Sequence, residues 1–214
     1  MDDNMIKLAG KLSKPPIFSH ESHGVKFYQL MLSVKRLSGA ADTIRVQAQQ
    51  ALIGELGIEE ENIPVSVIGH LRSFNNKSGI GSRLVLYVLA RELKISNEED
   101  GHVNILKITG TLCKPPTYRK TPLGREICDL LIAVSRYHGR SDYLPCIAWG
   151  THARSCAELK TGDRVNINGR LQSREYTKIE NGVEVIKTAF EVSASEIIPV
   201  RNEGVLTLSE MPRV

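Results

Sequence analysis

The sequence of 214 residues has little of several features that define other classes of protein. It has one tryptophan, aromatic residues make up 5% of the chain, and there are only four cysteines. The cysteines are Cys113, Cys128, Cys146 and Cys156. They form no CxxC pair, and no histidine lies at metal-ligand spacing from any of them. We therefore expect reduced, mostly buried thiols rather than a disulfide framework, and we expect no metal and no cofactor.

Long apolar runs and a strong charge of one sign are also missing. No uninterrupted apolar run has the length of a membrane span, and residues 1–6 have neither the positive start nor the apolar core of a signal peptide. We therefore expect a cytoplasmic protein without membrane contact. The formal net charge of +4 is too small by itself to indicate a polyanionic partner.

What the chain does have is an internal repeat with a spacing of 100 residues. Residues 7–16 (KLAGKLSKPP) return as residues 107–116 (KITGTLCKPP), and the register is recovered at Gly69 and Gly169. A repeat at this spacing divides the chain into two units of small-domain size. We predict repeat 1 at 1–95, an acidic linker at 96–101, repeat 2 at 102–201 and a short tail at 202–214.

The β-rich runs of the two repeats predict an all-β fold. They lie at 27–34, 65–71, 84–89, 127–134, 165–171 and 185–192. One helical stretch per repeat is predicted between the third and fourth strands, at 48–56 and 152–159. Five strands with one short helix at this place is the layout of the OB-fold, a small Greek-key barrel. Glycines inside the strands fit the bulges that such a barrel needs: Gly10, Gly69, Gly110 and Gly169.

The excess positive charge lies in repeat 2. Residues 1–101 contain 12 basic and 12 acidic side chains, whereas residues 102–201 contain 15 and 10. Two copies of one fold with unequal charge suggest two different roles.

Four segments of repeat 2 carry a family resemblance: 104–112 (NILKITGTL), 130–134 (LLIAV), 142–150 (DYLPCIAWG) and 162–176 (GDRVNINGRLQSREY). Repeat 2 resembles the bacterial single-stranded DNA-binding protein family over nearly its whole length. Repeat 1 matches in framework only, and its membership rests on the internal alignment.

The resemblance implies which side chains contact DNA. In this family bases stack on aromatic rings that project from the sheet and its hairpins, while lysines and arginines follow the phosphates. The implied stacking residues are Tyr143, Trp149, Tyr176, and either Tyr137 or His138. The implied phosphate contacts are Arg119, Lys120, Arg125, Arg136, Arg140, Arg154, Arg170 and Arg174.

Strand alternation supports an exposed position for Trp149. Within 144–149 the even-numbered residues share one face and the odd-numbered residues the other, so one core cannot bury every apolar residue. Tyr143 lies on the same face as Trp149. This face is interpreted as a DNA platform, with packing against another subunit as the alternative.

The matching positions of repeat 1 have lost every aromatic: they are Thr43, Gln49, Asn76, and Leu37 or Ser38. Repeat 1 is therefore predicted to be a scaffold or an auxiliary surface. Its candidate contacts are Phe74 as a substitute stacking platform and three cations: Arg36, Arg72 and Lys77. Tyr87 and Phe190, in the final strands, are expected in the cores.

The leading functional hypothesis is a nucleoid-associated protein that coats and protects single-stranded DNA, with little sequence preference, in replication, recombination or repair. The alternative is a module resembling primosomal proteins, which bridges replication proteins and holds DNA weakly. An enzyme is not expected, because neither Ser155-Cys156 near His152 nor Asp142 near His138 comes with an orienting third group.

The resemblance also bears on assembly. Family members commonly present four barrels per particle, so two barrels per chain predict a homodimer joined by a strand edge or a sheet face. The family typically ends in an acidic tail that recruits replication proteins. Residues 202–214 contain no acidic cluster, so recruitment of this kind is not expected.

Overall fold

The structure, a computed structural model, describes residues 3–54, 62–78, 82–96, 103–180 and 182–200. In repeat 1 the elements are β1 (Asn4–Leu12), β2 (Ile17–Ser22), β3 (Val25–Lys35), β4 (Ala41–Gln49), α1 (Gln50–Gly54), β5 (Pro64–Asn75) and β6 (Leu84–Ile95). In repeat 2 they are β7 (Asn104–Leu112), β8 (Thr117–Lys120), β9 (Glu126–Ser135), β10 (Ser141–Trp149), α2 (Gly150–Cys156), β11 (Arg164–Glu180) and β12 (Val183–Pro199). Neither of these helices has the length and apolar character to cross a membrane. The tail at 202–214 and all but Ser96 of the predicted linker lie outside the described residues.

Each repeat closes its strands into a barrel. In repeat 1 the hydrogen-bonded order is β3-β4-β6-β5-β1, and β1 closes the barrel by pairing with β3 at Lys11 and Leu12. Repeat 2 has the same order, β9-β10-β12-β11-β7, and closes at Thr111 and Leu112. The contacts β4–β6 and β10–β12 are parallel, and the other contacts in each barrel are antiparallel. This closed barrel, with one short helix before its last two strands, is the predicted OB-fold.

Each barrel has one strand more than the five predicted. β2 and β8 are short and pair only with β3 and β9, so they extend the barrel as an outer ribbon. All residues of β8 are exposed, as are five of the six in β2. Since neither strand buries a face, neither shows the apolar alternation by which a strand is recognised in a sequence.

The two helices differ from their predicted bounds. α1 begins at Gln50 because Ala48 and Gln49 still pair with β3, and the end predicted at 55–56 lies outside the described residues. α2 begins at Gly150 and ends at Cys156, two and three residues before its predicted bounds.

Two equivalent glycines bend the barrels, as predicted. The register of β5 on β6 shifts between Ile68 and Gly69, and that of β11 on β12 shifts between Asn168 and Gly169. A Cβ atom at Gly169 would lie 2.4 Å from the carbonyl oxygen of Ser193. A β-bulge with this close approach has no room for a side chain.

The barrels are joined by their first strands. β1 pairs antiparallel with β7, from Asn4 opposite Ile108 to Leu8 opposite Asn104. The strands of both repeats therefore belong to one continuous 12-stranded sheet.

Two buried aspartates tie each barrel to the other. Asp42, 1% exposed, accepts hydrogen bonds from Arg36 Nε and from the backbone N of Ser173 in repeat 2, both at 2.7 Å. Asp142, fully buried, accepts from Arg136 Nε at 2.6 Å and from the backbone N of Ser73 in repeat 1 at 2.5 Å. We call this symmetric pair of contacts the crossed clamps.

Candidate nucleic-acid interface

The outer face of β10 carries Tyr143 and Trp149. Tyr143 is 49% exposed and Trp149 is 38% exposed, although Ile147 between them is buried. The opposite face packs into the core through Leu144, Cys146 and Ala148. The predicted alternation is confirmed. It places two aromatic rings on one side of a strand, about 20 Å apart for six residues of extended chain.

The backbone next to Trp149 determines where that strand stops. Trp149 is the last residue of β10 and lies opposite Ile127 of β9. The next residue, Gly150, has a φ of +55°, in the left-handed region that glycine adopts without strain. The turn at Gly150 leads directly into α2, so Trp149 sits at a defined corner of the barrel.

The other predicted stacking residues lie in strand β11 and in the turn before β10. Tyr176 is half-buried in the long β11–β12 hairpin, and the guanidinium carbon of Arg174 lies 5.8 Å from its ring centroid. This distance is within the range of a cation–π contact. Tyr137, in a single 3₁₀ turn at Tyr137–Gly139, is 89% exposed. The side chain of His138 lies outside what the structure describes.

Four of the predicted phosphate contacts make ion pairs at the surface. These pairs are Arg119–Asp129 at 2.8 Å, Arg154–Glu126 at 2.9 Å, Arg174–Glu191 at 3.3 Å and Lys120–Glu126 at 3.9 Å. The four cationic side chains are 48% to 64% exposed. Exposed ion pairs contribute about 0–1 kcal/mol. A phosphate oxygen can therefore replace Asp129, itself 38% exposed, at small cost. Glu126 and Glu191 are 18% and 8% exposed, so removing their cations costs more.

Three other predicted contacts, Arg125, Arg140 and Arg170, are exposed and have no ion-pair partner among the described residues. Arg170 Nη2 donates one long hydrogen bond to Gln172, at 3.4 Å. Arg140 lines the same cavity as Tyr143. Lys77 of repeat 1 is also exposed.

Three arginines of the sequence prediction take part in the crossed clamps. Arg36 binds Asp42 and also donates to the carbonyl oxygen of Ser173 in repeat 2, at 2.7 Å. Arg136 binds Asp142 and also donates to the carbonyl oxygen of Ser73 in repeat 1, at 2.9 Å. Arg72 Nη1 donates to Asp142 at 3.0 Å. Hydrogen bonding to the aspartates raises the pKa of Arg36 and of Arg136. Burial alone would raise the pKa of Asp42, but the hydrogen bonds from Arg36 and Ser173 outweigh it and lower that pKa.

The structure gives the surroundings of three residues from the catalytic pairs considered in the sequence. Asp142 is held by two arginines and by the backbone of Ser73. Burial raises the pKa of Cys156 to about 12, so this thiol stays protonated at neutral pH. Ser155 Oγ donates to the carbonyl oxygen of Thr151 at 3.2 Å.

In repeat 1 the corresponding face is polar. Thr43 lies opposite Ser33 as Tyr143 lies opposite Ala133, and Gln49 lies opposite Phe27 as Trp149 lies opposite Ile127. The sheet register thus reproduces the internal alignment in space. The two β10 aromatics have no counterpart in β4.

The sequence prediction missed an aromatic pair in repeat 1. Tyr87 was expected in the core, but it is only partly buried, and its ring meets Phe74 edge-on at 5.9 Å. Phe74 follows the clamp serine Ser73 as Arg174 follows Ser173. The alternation of β6 could have shown this position of Tyr87. Its neighbours Leu86 and Val88 are both buried, so Tyr87 lies on the outer face of the strand. Phe190, by contrast, packs against the core as expected.

Comparisons with known proteins agree with this architecture. Residues 103–199 match the model of the single-strand binding protein family. The chain is 28% identical over 109 residues to single-stranded DNA-binding protein A of Bacillus subtilis, across 48% of this chain and 63% of that protein. It is 29% identical over 109 residues to the single-stranded DNA-binding protein of Bacillus anthracis, with the same coverage. The match thus spans less than two thirds of the length of these relatives.

Solved structures extend the comparison to both repeats. The wild-type single-stranded DNA binding protein from Thermus aquaticus superposes with a TM-score of 0.79 at 21% identity, covering 98% of each chain. A deletion mutant of that protein gives a TM-score of 0.77, covering 95% of this chain and 97% of the other. At this identity the likeness shows the fold, which is two OB-folds in one chain. Residues 103–199 therefore match the single-strand binding protein family, and each repeat of the chain has an OB-fold.

Proposed function

We propose that the chain binds single-stranded DNA with little sequence preference, chiefly through repeat 2. The observation that carries this proposal is the pair of half-exposed rings, Tyr143 and Trp149, on the outer face of β10. Every base has a π-face, so stacking on such rings holds DNA without reading its sequence. The relatives named above are described as single-stranded DNA-binding proteins, which supports the same conclusion.

The cations around these rings bind phosphate in this proposal. Arg140 lies beside Tyr143, and Arg174 lies over Tyr176. The exposed side chains of repeat 2 complete the set: Arg119, Lys120, Arg125, Arg154 and Arg170. We assign Arg36, Arg72 and Arg136 to holding the barrels together, because their donors already bind buried aspartates.

The role that fits this chemistry is coating and protecting single strands exposed in the cytoplasm during replication, recombination or repair. No covalent step is involved. The division of the chain at a linker of residues 96–101 belongs to the same proposal. Repeat 2 is the main DNA contact, and repeat 1 is a scaffold or an auxiliary surface.

A titration with oligothymidine tests the function. Trp149 is the sole tryptophan, so its fluorescence reports directly on repeat 2. We expect strong quenching, and an affinity that falls steeply as salt is raised because phosphate contacts release counterions. A weak affinity with unquenched Trp149 would instead favour the primosomal type of interaction module.

We further propose a homodimer that presents four OB-folds. The first strands pair with each other inside one chain, so their edges are already used. The outer face of these strands still exposes Met5 at 37% and Ile105 at 49%. A solution mass of twice 23.7 kDa is expected, and a mass of one chain would contradict the dimer.

A further inference from the structure

Phe74 is the common wall of three neighbouring cavities. A cavity of about 280 Å³ lies between Phe74 of repeat 1 and two residues of repeat 2, Arg140 and Tyr143. A second, of about 310 Å³, continues onto repeat 1, where Arg45 and Tyr87 line it together with Phe74. The row of cavities therefore leads from Tyr143 of repeat 2, past Phe74, onto the surface of repeat 1.

The third cavity, of about 360 Å³, widens this path. Its walls come from both repeats, with Phe74 and Arg45 on one side and Thr188 and Phe190 of the β11–β12 hairpin on the other. Ser82 Oγ donates to the carbonyl oxygen of Thr188 at 3.3 Å, so the hairpin of repeat 2 touches repeat 1 at this place.

The aromatic pair of repeat 1 has replaced an ion pair. Phe74 occupies the position that Arg174 has in repeat 2. Tyr87 lies opposite Arg72 in the same way that Glu191 lies opposite Gln172, so Tyr87 occupies the position of Glu191. Where repeat 2 has an arginine and a glutamate at 3.3 Å, repeat 1 presents two rings. Phe74 is 45% exposed, so part of its ring is open to a ligand.

The charges along the path favour a polyanion. None of the described residues that line the three cavities is acidic, and three are arginines: Arg45, Arg136 and Arg140. Arg45 has no ion-pair partner among the residues that the structure describes, and it replaces Pro145 of the other repeat. Arg136 is held by Asp142, so Arg45 and Arg140 are the cations available to a ligand here. Aromatic rings next to such cations are the features by which a single strand is bound without regard to sequence.

We propose that a DNA strand leaving Tyr143 crosses Phe74 and enters repeat 1, where Phe74 and Tyr87 stack a base and Arg45 binds a phosphate. This inference rests on the proposed function and deepens it. It makes repeat 1 a second DNA contact at positions that differ from those of repeat 2. The loss of aromatics at Thr43 and Gln49 then reflects a shifted site and not an empty barrel.

Moving the single tryptophan tests the path. The variant F74W/W149F keeps an aromatic at both places and puts the fluorophore on repeat 1. Short and long oligothymidines, of about 6 and about 30 nucleotides, distinguish one barrel from two. We expect Trp149 of the unaltered chain to be quenched by both lengths, and the tryptophan introduced by F74W to be quenched strongly only by the longer one.

The outcomes separate the two proposals. If Trp149 is quenched while the F74W fluorophore is unaffected by either length, the path across Phe74 is wrong and the function of repeat 2 stands. If neither fluorophore responds, both proposals fail. Quenching by a peptide or protein partner alone would likewise overturn the assignment of DNA to these cavities.

An affinity comparison adds a matched control. F74A is expected to weaken binding of the long oligothymidine by about 5- to 100-fold and to leave the short one nearly unchanged. F18A removes another exposed ring of repeat 1, 53% exposed and outside the three cavities, and should have no effect. Equal losses from F74A and F18A would overturn the proposal.

Discussion

At the two ends of β4, repeat 1 has Thr43 and Gln49, whereas repeat 2 has Tyr143 and Trp149 at the same places in β10. Beneath this difference the barrels agree closely, since both contain a glycine bulge, a clamp aspartate and the same strand order. The comparison teaches that the buried framework and the outer face of an OB-fold can vary independently. Core packing constrains one face of each strand and leaves the other free.

Removing the rings of β10 should have the largest effect on DNA binding. The variant Y143A/W149A loses two stacking platforms, each contributing about 1–3 kcal/mol, so we expect the affinity to fall by about 2–6 kcal/mol. Fluorescence anisotropy of labelled oligothymidine measures it. The matched control is T43A/Q49A, at the same positions of repeat 1, where we expect little change. Similar losses in both double variants would remove the functional distinction between the two β-strands.

The crossed clamps offer a comparison of stability. Asp142→Ala leaves Arg72 and Arg136 without a counter-charge in a partly buried site, and we expect a loss of about 3–5 kcal/mol in the free energy of unfolding. Asp42→Ala leaves only Arg36 and the Ser173 donors, so a smaller loss of about 2 kcal/mol is expected. Urea denaturation measures both. The reverse order would show that Arg72 adds nothing to its clamp.

The glycine bulges should respond alike in both repeats. In Gly69→Ala the added Cβ atom would lie 2.2 Å from the carbonyl oxygen of Leu89. In Gly169→Ala it would lie 2.4 Å from the carbonyl oxygen of Ser193. We expect each variant to lose about 1–3 kcal/mol of stability, because backbone must shift to make room. Gly39→Ala is not a useful control, since its φ of +87° is itself strained for alanine. Gly54→Ala, with open space around it, is the better one and should cost little. A harmless Gly69→Ala would show that repeat 1 tolerates distortion that repeat 2 does not.

Acid should weaken the clamp of Asp42. The pKa of this carboxyl is lower in the folded chain than its ordinary value of 3.8, so its contribution is complete above that value and is lost as the pH falls through the folded pKa. The difference in unfolding free energy between the unaltered chain and Asp42→Asn should therefore be constant from neutral pH down to about 5 and should shrink below about 4. Chemical denaturation at a series of pH values measures this difference. A constant difference down to pH 2 would contradict the role of the ionised carboxylate.

The smallest effect is expected from a single phosphate contact. Arg140→Ala makes repeat 2 like repeat 1, which has Ala40 at that position. Losing one contact should reduce the slope of log affinity against log salt by about 0.7 for a single strand. Lys94→Ala, at an exposed lysine paired with Glu92, should leave the slope unchanged. Equal slopes for all three chains would mean that Arg140 does not touch the DNA backbone.

Periodicity made much of the framework and of the β10 face predictable. The 100-residue repeat, the strand runs and the glycines inside them indicated the OB-fold, and alternation from Leu144 to Ala148 showed which side carries Trp149. These signals are local, because a half-buried strand repeats every two residues.

The clamps were not predictable, since they depend on contacts between distant parts of the chain. Asp42 meets Ser173, and Asp142 meets Ser73, across 131 and 69 positions. In the sequence, Arg136 is a basic residue near the aromatic positions of repeat 2, and Arg36 is its counterpart in repeat 1, so both were predicted as phosphate contacts. The role of Phe74 was equally hidden, because its cavities combine residues of both repeats.

The pairing of β1 with β7 has a consequence for how the molecule behaves at low concentration. If the two barrels were separate chains, their contact would weaken on dilution by mass action. In one polypeptide the contact is intramolecular, with an effective concentration set by the short connection between the repeats. The barrel with Trp149 and the barrel with Phe74 are thus always present in equal number, and a cell expressing few copies still has every pair intact.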